Sequence, residues 1–110
     1  MTKITFSEDG TITTTFERTP IMASYLLAFI ISDLEHISNA DDKAEGETLH
    51  RIWVRPDSLS KADYALKSSV AVLKALEEYV DYKYELEKVD SAGVPLKTGA
   101  MENWGMITYR

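Results

Sequence analysis

The chain of 110 residues is long enough for one modest domain and short for two, and its 45% hydrophobic and 27% charged residues are typical of an ordered globular protein. Its net charge of -6, from 12 basic and 18 acidic side chains, argues against a protein that binds nucleic acids or anionic membranes, because both need a basic surface. The absence of cysteine excludes disulfides and thiolate metal sites.

The first half of the chain predicts β-structure. Residues 3–16 read as two alternating strands, "KITFS" and "TITTTF", around an Asp-Gly dipeptide that favours a hairpin turn. The apolar run "SYLLAFIISD" at 24–33 predicts a strand buried on both faces, and it is too short to span a membrane as a helix. Residues 36–48 are polar and acidic, which predicts a solvated loop, and "HRIWVR" at 50–55 restores strand alternation.

The second half begins with a helical period. Ser60 and Asp63 have the spacing of a capping box, which places the start of the helix at Ser60. "VDSAGV" and "MITYR" then predict two short strands, separated by Pro95 and a glycine-containing stretch. This order predicts an α+β fold with a candidate domain boundary near Pro56. The apolar face of the helix is formed by Ala62, Leu66, Ser69, Leu73, Leu76 and Val80.

The sequence carries no complete catalytic or metal-binding motif. Its two histidines, His36 and His50, are too far apart for the HExxH arrangement of zinc ligands, so surface or strand-end positions are the preferred interpretation. No GxSxG motif, phosphate loop or dinucleotide-binding motif is present. A group of acidic residues lacks the spacing of a calcium loop and is interpreted as a solvated charge run. Its members are Asp41, Asp42, Glu45 and Glu47.

The segment "TGAMENWG" at 98–105 has a chemistry of its own. Gly99 and Gly105 allow the backbone to approach an extended ligand closely, and bare peptide groups can then recognise a peptide as an added strand. Glu102 is a hydrogen-bond acceptor that would pair with an ammonium group, which a free peptide N-terminus has and an internal peptide bond lacks. The alternative interpretation is a surface glutamate in a turn beside a packing aromatic residue, Trp104.

"GAMENWG" with the following "ITYR" resembles the exopeptidase signature of the M1 family of zinc aminopeptidases. Three further segments are similar to this family and occur in its order: "TTFERTPIMASYLLAFIISD", "RIWVRPD" and "DYALKSSVAVLKALEEYVDYKYELEKVD". The resemblance implies that residues 1–56 are the C-terminal part of a saddle-like, all-β N-terminal domain. It implies that residues 57–110 are the start of a thermolysin-like catalytic domain.

The resemblance also implies a role for each residue of the motif. Glu102 is expected to bind the free α-amino group of the substrate, so that residues are removed one at a time from the N-terminus. Thr98 is expected to help form the pocket for the first side chain of the substrate. The residues expected to line the bound peptide are Gly99, Ala100, Met101, Glu102 and Asn103.

In the family, the zinc ligands and the water-activating glutamate follow this motif, and none of these elements occurs within the 110 residues. We therefore expect the longer protein to hold zinc, and we expect no catalytic or metal-binding residue in this chain. The isolated chain is expected to lack peptidase activity. The remaining catalytic domain and peptide N-termini are the implied partners, and nucleic acid is not one.

"ISNA" at 37–40 looks most like the insect gut branch of the family. Such enzymes are typically held on the cell surface by a membrane anchor and can serve as receptors for bacterial insecticidal toxins. The resemblance therefore implies an alternative function, a protein-binding segment of a cell-surface aminopeptidase that binds such a toxin.

Overall fold

The computed structural model describes residues 3–95 and 98–110, which form a two-stranded hairpin, a five-stranded sheet and one α-helix. The mixed α+β class is confirmed. Two 3₁₀ helices span Ser24–Leu26 and Pro56–Lys61. The regular elements are β1 (Lys3–Phe6), β2 (Ile12–Thr15), β3 (Glu35–Ser38), β4 (Leu49–Val54), α1 (Asp63–Val80), β5 (Lys88–Gly93), β6 (Ala100–Asn103) and β7 (Met106–Tyr109).

The predicted N-terminal hairpin is confirmed. β1 and β2 pair antiparallel, and Gly10 in the turn has a φ of 84°, a value that favours glycine. The Asp9 carboxylate accepts a hydrogen bond of 2.9 Å from the Thr11 amide, which closes the turn. Both strands are exposed along their whole length.

The prediction of a buried strand at 24–33 is wrong. Ser24–Leu26 is a 3₁₀ helix, and the residues after it pair with no described strand. A strand requires a hydrogen-bonding neighbour on at least one side, so hydrophobic composition alone did not make this run a strand. Alternate side chains of the run are exposed, namely Tyr25, Leu27, Phe29 and Ile31.

The five-stranded sheet has the order β3-β4-β5-β7-β6. β4, β5 and β7 run parallel, and the two outer strands, β3 and β6, are antiparallel to their neighbours. The chain passes from β4 through α1 to β5, which is the helical crossover that parallel neighbours need. The loop predicted at 36–48 is partly wrong, because its first three residues complete β3 by pairing with β4.

The capping box predicted at Ser60 is wrong. The 3₁₀ helix at Pro56–Lys61 leads almost directly into α1, whose N-cap is Ala62 with helical backbone angles and no side-chain cap. The Ala62 amide donates a hydrogen bond of 3.1 Å to the Leu59 carbonyl. The preceding turn thus satisfies an amide that a capping side chain would otherwise have to satisfy.

The sheet has two distinct faces because side chains alternate along each strand. The helix face includes His50 and Ile52 of β4, and His50 contacts Ser69 of α1. The opposite face carries Arg51 and Asp90, which form an ion pair. Four buried hydrophobic residues are found in the described chain: Ile52, Ala62, Val89 and Ala92.

The sheet combines strands from both sides of position 56, since β3 and β4 precede it and β5 to β7 follow it. The division into domains at 1–56 and 57–110 stays a prediction. Within residues 3–95 and 98–110, none of the helices is long and apolar enough to cross a membrane.

Candidate substrate-binding site

The motif lies on an edge strand. β6 pairs only with β7 among the described strands. The Arg110 amide donates a hydrogen bond of 3.1 Å to the Gly99 carbonyl, so Gly99 and Arg110 are a hydrogen-bonded pair. Ladder alternation then directs the backbone groups of Ala100 and Glu102 away from β7. These groups face the free edge, where a peptide strand can pair with them.

The Glu102 side chain is on the helix face of the sheet. Cross-strand partners share a face, and the register connects Ile52 to Ser91, Ser91 to Ile107, and Ile107 to Glu102. The carboxylate is exposed, and no ion-pair partner for it occurs in the part of the chain that is described. Glu102 is therefore a strand residue with an accessible negative charge, and not a residue of a turn.

Asn103 points to the opposite face and has a structural contact. The residue is 8% exposed, and its Nδ2 donates a hydrogen bond of 3.1 Å to the Tyr25 carbonyl. The bond joins residues 78 positions apart and fastens β6 to the 3₁₀ helix at Ser24–Leu26. Adjacent residues of the motif thus have different surroundings, since Glu102 is accessible and Asn103 is buried.

The remaining predicted residues lie beside Glu102. Thr98 and Gly99 are exposed and precede β6, and Gly99 has a φ of 72°. Ala100 begins the strand and is exposed, whereas Met101 is half-buried. The structure thus brings the predicted residues together on β6 and the two residues before it. Their roles stay predictions.

The hairpin between β6 and β7 closes through Trp104 and Gly105. Gly105 has a φ of 74°, whereas Trp104 has a negative φ, as a type II turn requires. A Cβ at position 105 would lie 3.3 Å from Leu86 Cδ1, so a larger residue there would be strained and crowded. The Gly105 amide donates a hydrogen bond of 3.2 Å to the Tyr84 hydroxyl. The positive φ and the close Leu86 side chain therefore both favour glycine at this turn.

A charged cluster around the buried Asp90, on the opposite face, supports the same turn. The Asp90 carboxylate accepts hydrogen bonds from Arg51 Nε at 2.5 Å, Arg51 Nη2 at 2.8 Å and Trp53 Nε1 at 2.9 Å. It also accepts one from Lys88 Nζ at 2.5 Å, and Lys88 Nζ donates a second bond of 2.9 Å to the Gly105 carbonyl. Burial raises the pKa of Asp90, but the hydrogen bonds from Arg51, Lys88 and Trp53 together outweigh burial and hold that pKa below its ordinary value.

The loop after α1 is fastened to the helix by Glu77. Its carboxylate accepts hydrogen bonds from the Tyr84 amide at 2.8 Å and from Lys83 Nζ at 3.0 Å. The bond from the Tyr84 amide is the main reason that the pKa of Glu77 lies below its ordinary value.

An open cavity of about 250 Å³ lies between this loop, the end of α1 and Trp104. A larger one of about 420 Å³ is lined by other residues, among them Asp33 and Pro95.

The histidines have separate structural contacts. The His36 ring lies over the Trp53 ring with centroids 4.2 Å apart, in β3 and not in the predicted loop. His50 is buried at 3% exposure, and its Nδ1 lies 2.7 Å from Ser69 Oγ. Burial lowers the pKa of His50 despite the nearby negative charge of Glu77. Within the described ranges, no three metal-ligating side chains converge.

Comparison of the sequence with known proteins identifies its family. Residues 64–110 match the model of the peptidase family M1 domain. The chain is 42% identical over 104 residues to aminopeptidase N of Haemonchus contortus, covering 90% of this chain and 10% of that protein. The chain belongs to peptidase family M1. Human endoplasmic reticulum aminopeptidase 1 is 41% identical over 103 residues, which cover 93% of this chain and 11% of that M1 protein.

A third M1 relative, human aminopeptidase N, is 41% identical over 100 residues, which cover 88% of this chain and 10% of that protein. The chain thus spans about a tenth of the length of the curated relatives it matches. Membership of the M1 family, expected from the motif, is confirmed. The assignment to its insect gut branch stays a prediction.

Sequence reasoning found the motif and missed the residues that hold it. Arg51, Trp53 and Asp90 lie in predicted strands without any further role, and Lys88 precedes its predicted strand. A signal was available, because side chains at alternate strand positions share one face of a sheet. "KVD" and "RIW" both have this spacing, but only the register of β4 with β5 shows that they meet.

Proposed function

We propose that the longer protein containing this segment is a zinc aminopeptidase, and that Glu102 binds the free α-amino group of its peptide substrate. The observation that carries the proposal is the position of Glu102, an accessible carboxylate on an edge strand whose outward backbone groups are available to a peptide. Membership of family M1 and the names of the relatives, aminopeptidase N and endoplasmic reticulum aminopeptidase 1, support it.

The segment would recognise the end of a peptide by two interactions. The backbone groups of Ala100 and Glu102 would pair with the extended substrate as an additional strand neighbour. The Glu102 carboxylate would form a charge-assisted hydrogen bond with the terminal ammonium group. An internal peptide bond carries no ammonium, so this pairing selects chain ends. Thr98, next to the strand, would contact the first side chain of the substrate.

Zinc would be held by other parts of the longer protein. The described residues of this segment do not fit a zinc site, since they bring together no set of three ligands. The metal would supply the hydrolytic chemistry of the enzyme. This segment would bind and orient the substrate amine. The isolated chain is accordingly expected to be inactive.

The finer assignments belong to the same proposal. Residues 1–56 would complete a saddle-like, all-β N-terminal domain, and residues 57–110 would begin a thermolysin-like catalytic domain. The longer protein would be a membrane-anchored enzyme at the cell surface. Its partners would be peptide N-termini and the remaining catalytic domain.

The test is Glu102→Ala in the full-length protein. Loss of a shielded charge pair costs on the order of 2–5 kcal/mol, so kcat/KM for an aminoacyl nitroanilide is expected to fall roughly 30-fold to several thousand-fold. The matched control is Glu78→Ala, which removes an exposed carboxylate from α1 and is expected to leave kcat/KM within about twofold. Equal losses in the two variants would refute the role of Glu102.

The alternative function is a protein-binding segment of a cell-surface aminopeptidase that binds a bacterial insecticidal toxin. The observation in its favour is the exposed acidic loop that contains Asp41, Asp42 and Glu45, because such a surface suits a cationic partner. Replacement of these three residues by asparagine or glutamine would then weaken toxin binding without changing peptidase activity. Unchanged toxin affinity would exclude this loop as the receptor surface.

A further inference from the structure

We propose that Lys88, together with Tyr84, is a positioning residue for recognition of the substrate amine, because the two side chains fix the turn that orients Glu102. The inference rests on the proposed function of Glu102. Neither side chain belongs to the motif itself. Their role would be to hold β6 in the one orientation that presents the carboxylate to a peptide N-terminus.

Lys88 binds the turn from the side of the charged cluster. Its Nζ lies 2.5 Å from Asp90 Oδ2 and 2.9 Å from the Gly105 carbonyl oxygen, so one ammonium group bridges both acceptors. Asp90 is in turn fixed by Arg51 and Trp53. The ammonium therefore connects the Gly105 carbonyl to a buried anchor in the centre of the sheet.

Tyr84 binds the other polar group of the same residue. Its hydroxyl accepts the hydrogen bond from the Gly105 amide at 3.2 Å, and its own amide is held by Glu77 at 2.8 Å. Gly105 is therefore fixed at its amide by the loop after α1 and at its carbonyl by Lys88. The Asp90 amide adds a ladder bond of 2.9 Å to the same carbonyl.

These contacts matter for Glu102 because β6 is otherwise held by β7 and by the single bond from Asn103 to the Tyr25 carbonyl. The strand has four residues and one described neighbour, β7, and Asn103 next to the turn is its buried residue. Glycine restrains the backbone less than any other residue, so contacts from outside must select the conformation of the turn. Loosening the turn would displace Glu102, three residues away. A displacement of about 1 Å at a charge-paired group is enough to lower affinity by an order of magnitude or more.

The experiment compares two ligands in the full-length zinc-loaded protein. Leucine hydroxamate carries the α-amino group, and 4-methylpentanohydroxamic acid is the same molecule without it. We expect Lys88→Met and Tyr84→Phe each to reduce the ratio of the two affinities by about tenfold, with binding of the des-amino ligand nearly unchanged. The ratio is independent of the folded fraction, because unfolding weakens both ligands equally. Lys67→Met is the matched control, since Lys67 forms a 2.7 Å pair with Asp63 on the exposed surface of α1.

Glu102→Ala, measured in parallel, separates this inference from the proposed function. If Glu102→Ala abolishes the preference for the amine while Lys88→Met and Tyr84→Phe keep it, the positioning role is refuted and the proposed function stands. If Glu102→Ala itself leaves the preference intact, the proposed function fails and the inference fails with it. A loss in all three variants, with Lys67→Met unchanged, supports both.

Discussion

Asp90 is the residue with the densest set of polar contacts in the described chain. Its side chain is 8% exposed, and its carboxylate accepts four hydrogen bonds from three side chains of β4 and β5. A buried carboxylate is unfavourable unless it is paired, and here two cations and an indole compensate for the lost hydration. Asp90 thereby determines the positions of Arg51, Trp53 and Lys88 together.

Asp90→Asn is expected to lower the free energy of unfolding by about 3 kcal/mol at pH 7, because Arg51 and Lys88 would lose their anion. The folded-state pKa of Asp90 lies below its ordinary value of 3.8, so the ionised carboxylate stabilises the fold above that value. The stabilisation is lost as the pH falls through the folded-state pKa. Thermal unfolding of wild type and variant should therefore converge at low pH.

The control for this prediction is Asp57→Asn. Asp57 pairs with Arg55 at 3.3 Å, but its side chain is 67% exposed, and such pairs contribute less than about 1 kcal/mol. A similar loss of stability in both variants at pH 7 would show that the buried cluster around Asp90 has no special importance.

At the scale of elements, α1 shows what periodicity can predict. The three- and four-residue spacing identified the helix, which ends at Val80 in the structure. The start of α1 was predicted wrongly at Ser60, because the preceding 3₁₀ helix takes the place of a capping side chain. The helix is fixed to the sheet by a bond between Ser69 of α1 and the buried His50 of β4. Burial lowers the pKa of His50, so the neutral ring is the stable form, and stability should fall as the pH drops below the ordinary value of 6.5.

Ser69→Ala is expected to lower the free energy of unfolding by about 1–2 kcal/mol at pH 7.5, because the buried His50 ring would lose its partner. The measurement is urea unfolding followed by circular dichroism. Ser60→Ala is the matched control and should change stability by less than about 0.5 kcal/mol, since Ser60 is exposed and α1 has no side-chain cap. A larger effect at Ser60 than at Ser69 would restore the capping box.

At the scale of the whole molecule, the chain has a large surface for its mass. Its accessible area is 8845 Å², whereas a compact monomer of 12.4 kDa exposes about 6,100 Å². Its radius of gyration is 15.1 Å, compared with about 13 Å for a compact chain of this length. Large apolar side chains are exposed between positions 4 and 31, among them Phe6, Phe16, Ile21 and Ile31, and others are exposed on α1, among them Tyr64 and Tyr79.

The isolated 110-residue chain is therefore expected to bind the dye ANS strongly, because large apolar patches are accessible. It is also expected to release no product from an aminoacyl nitroanilide in the presence of zinc. Fluorescence titration and an activity assay on the purified chain test both expectations, with the full-length protein as the control. Weak dye binding would contradict the surface argument, and zinc-dependent turnover would contradict the expected inactivity.

The local sequence determined the features that depend on neighbours in the chain. The Asp-Gly turn fixed the first hairpin, the helical period fixed α1, and "GAMENWG" identified the family before any contact was known. Turn geometry and side-chain periodicity act over a few residues, so the sequence displays them directly. The same rules wrongly predicted a strand at 24–33, because pairing depends on a partner elsewhere.

Only the tertiary structure decided which face each residue of the motif occupies. Arg51 meets Asp90 across 39 positions and Asn103 meets Tyr25 across 78, and no local pattern specifies such pairs. Sheet register directs Glu102 to the helix face and buries Asn103 on the other. The sequence thus determined the chemical group that can bind an amine. Long-range packing decided that this group is accessible and which side chains hold its strand in place.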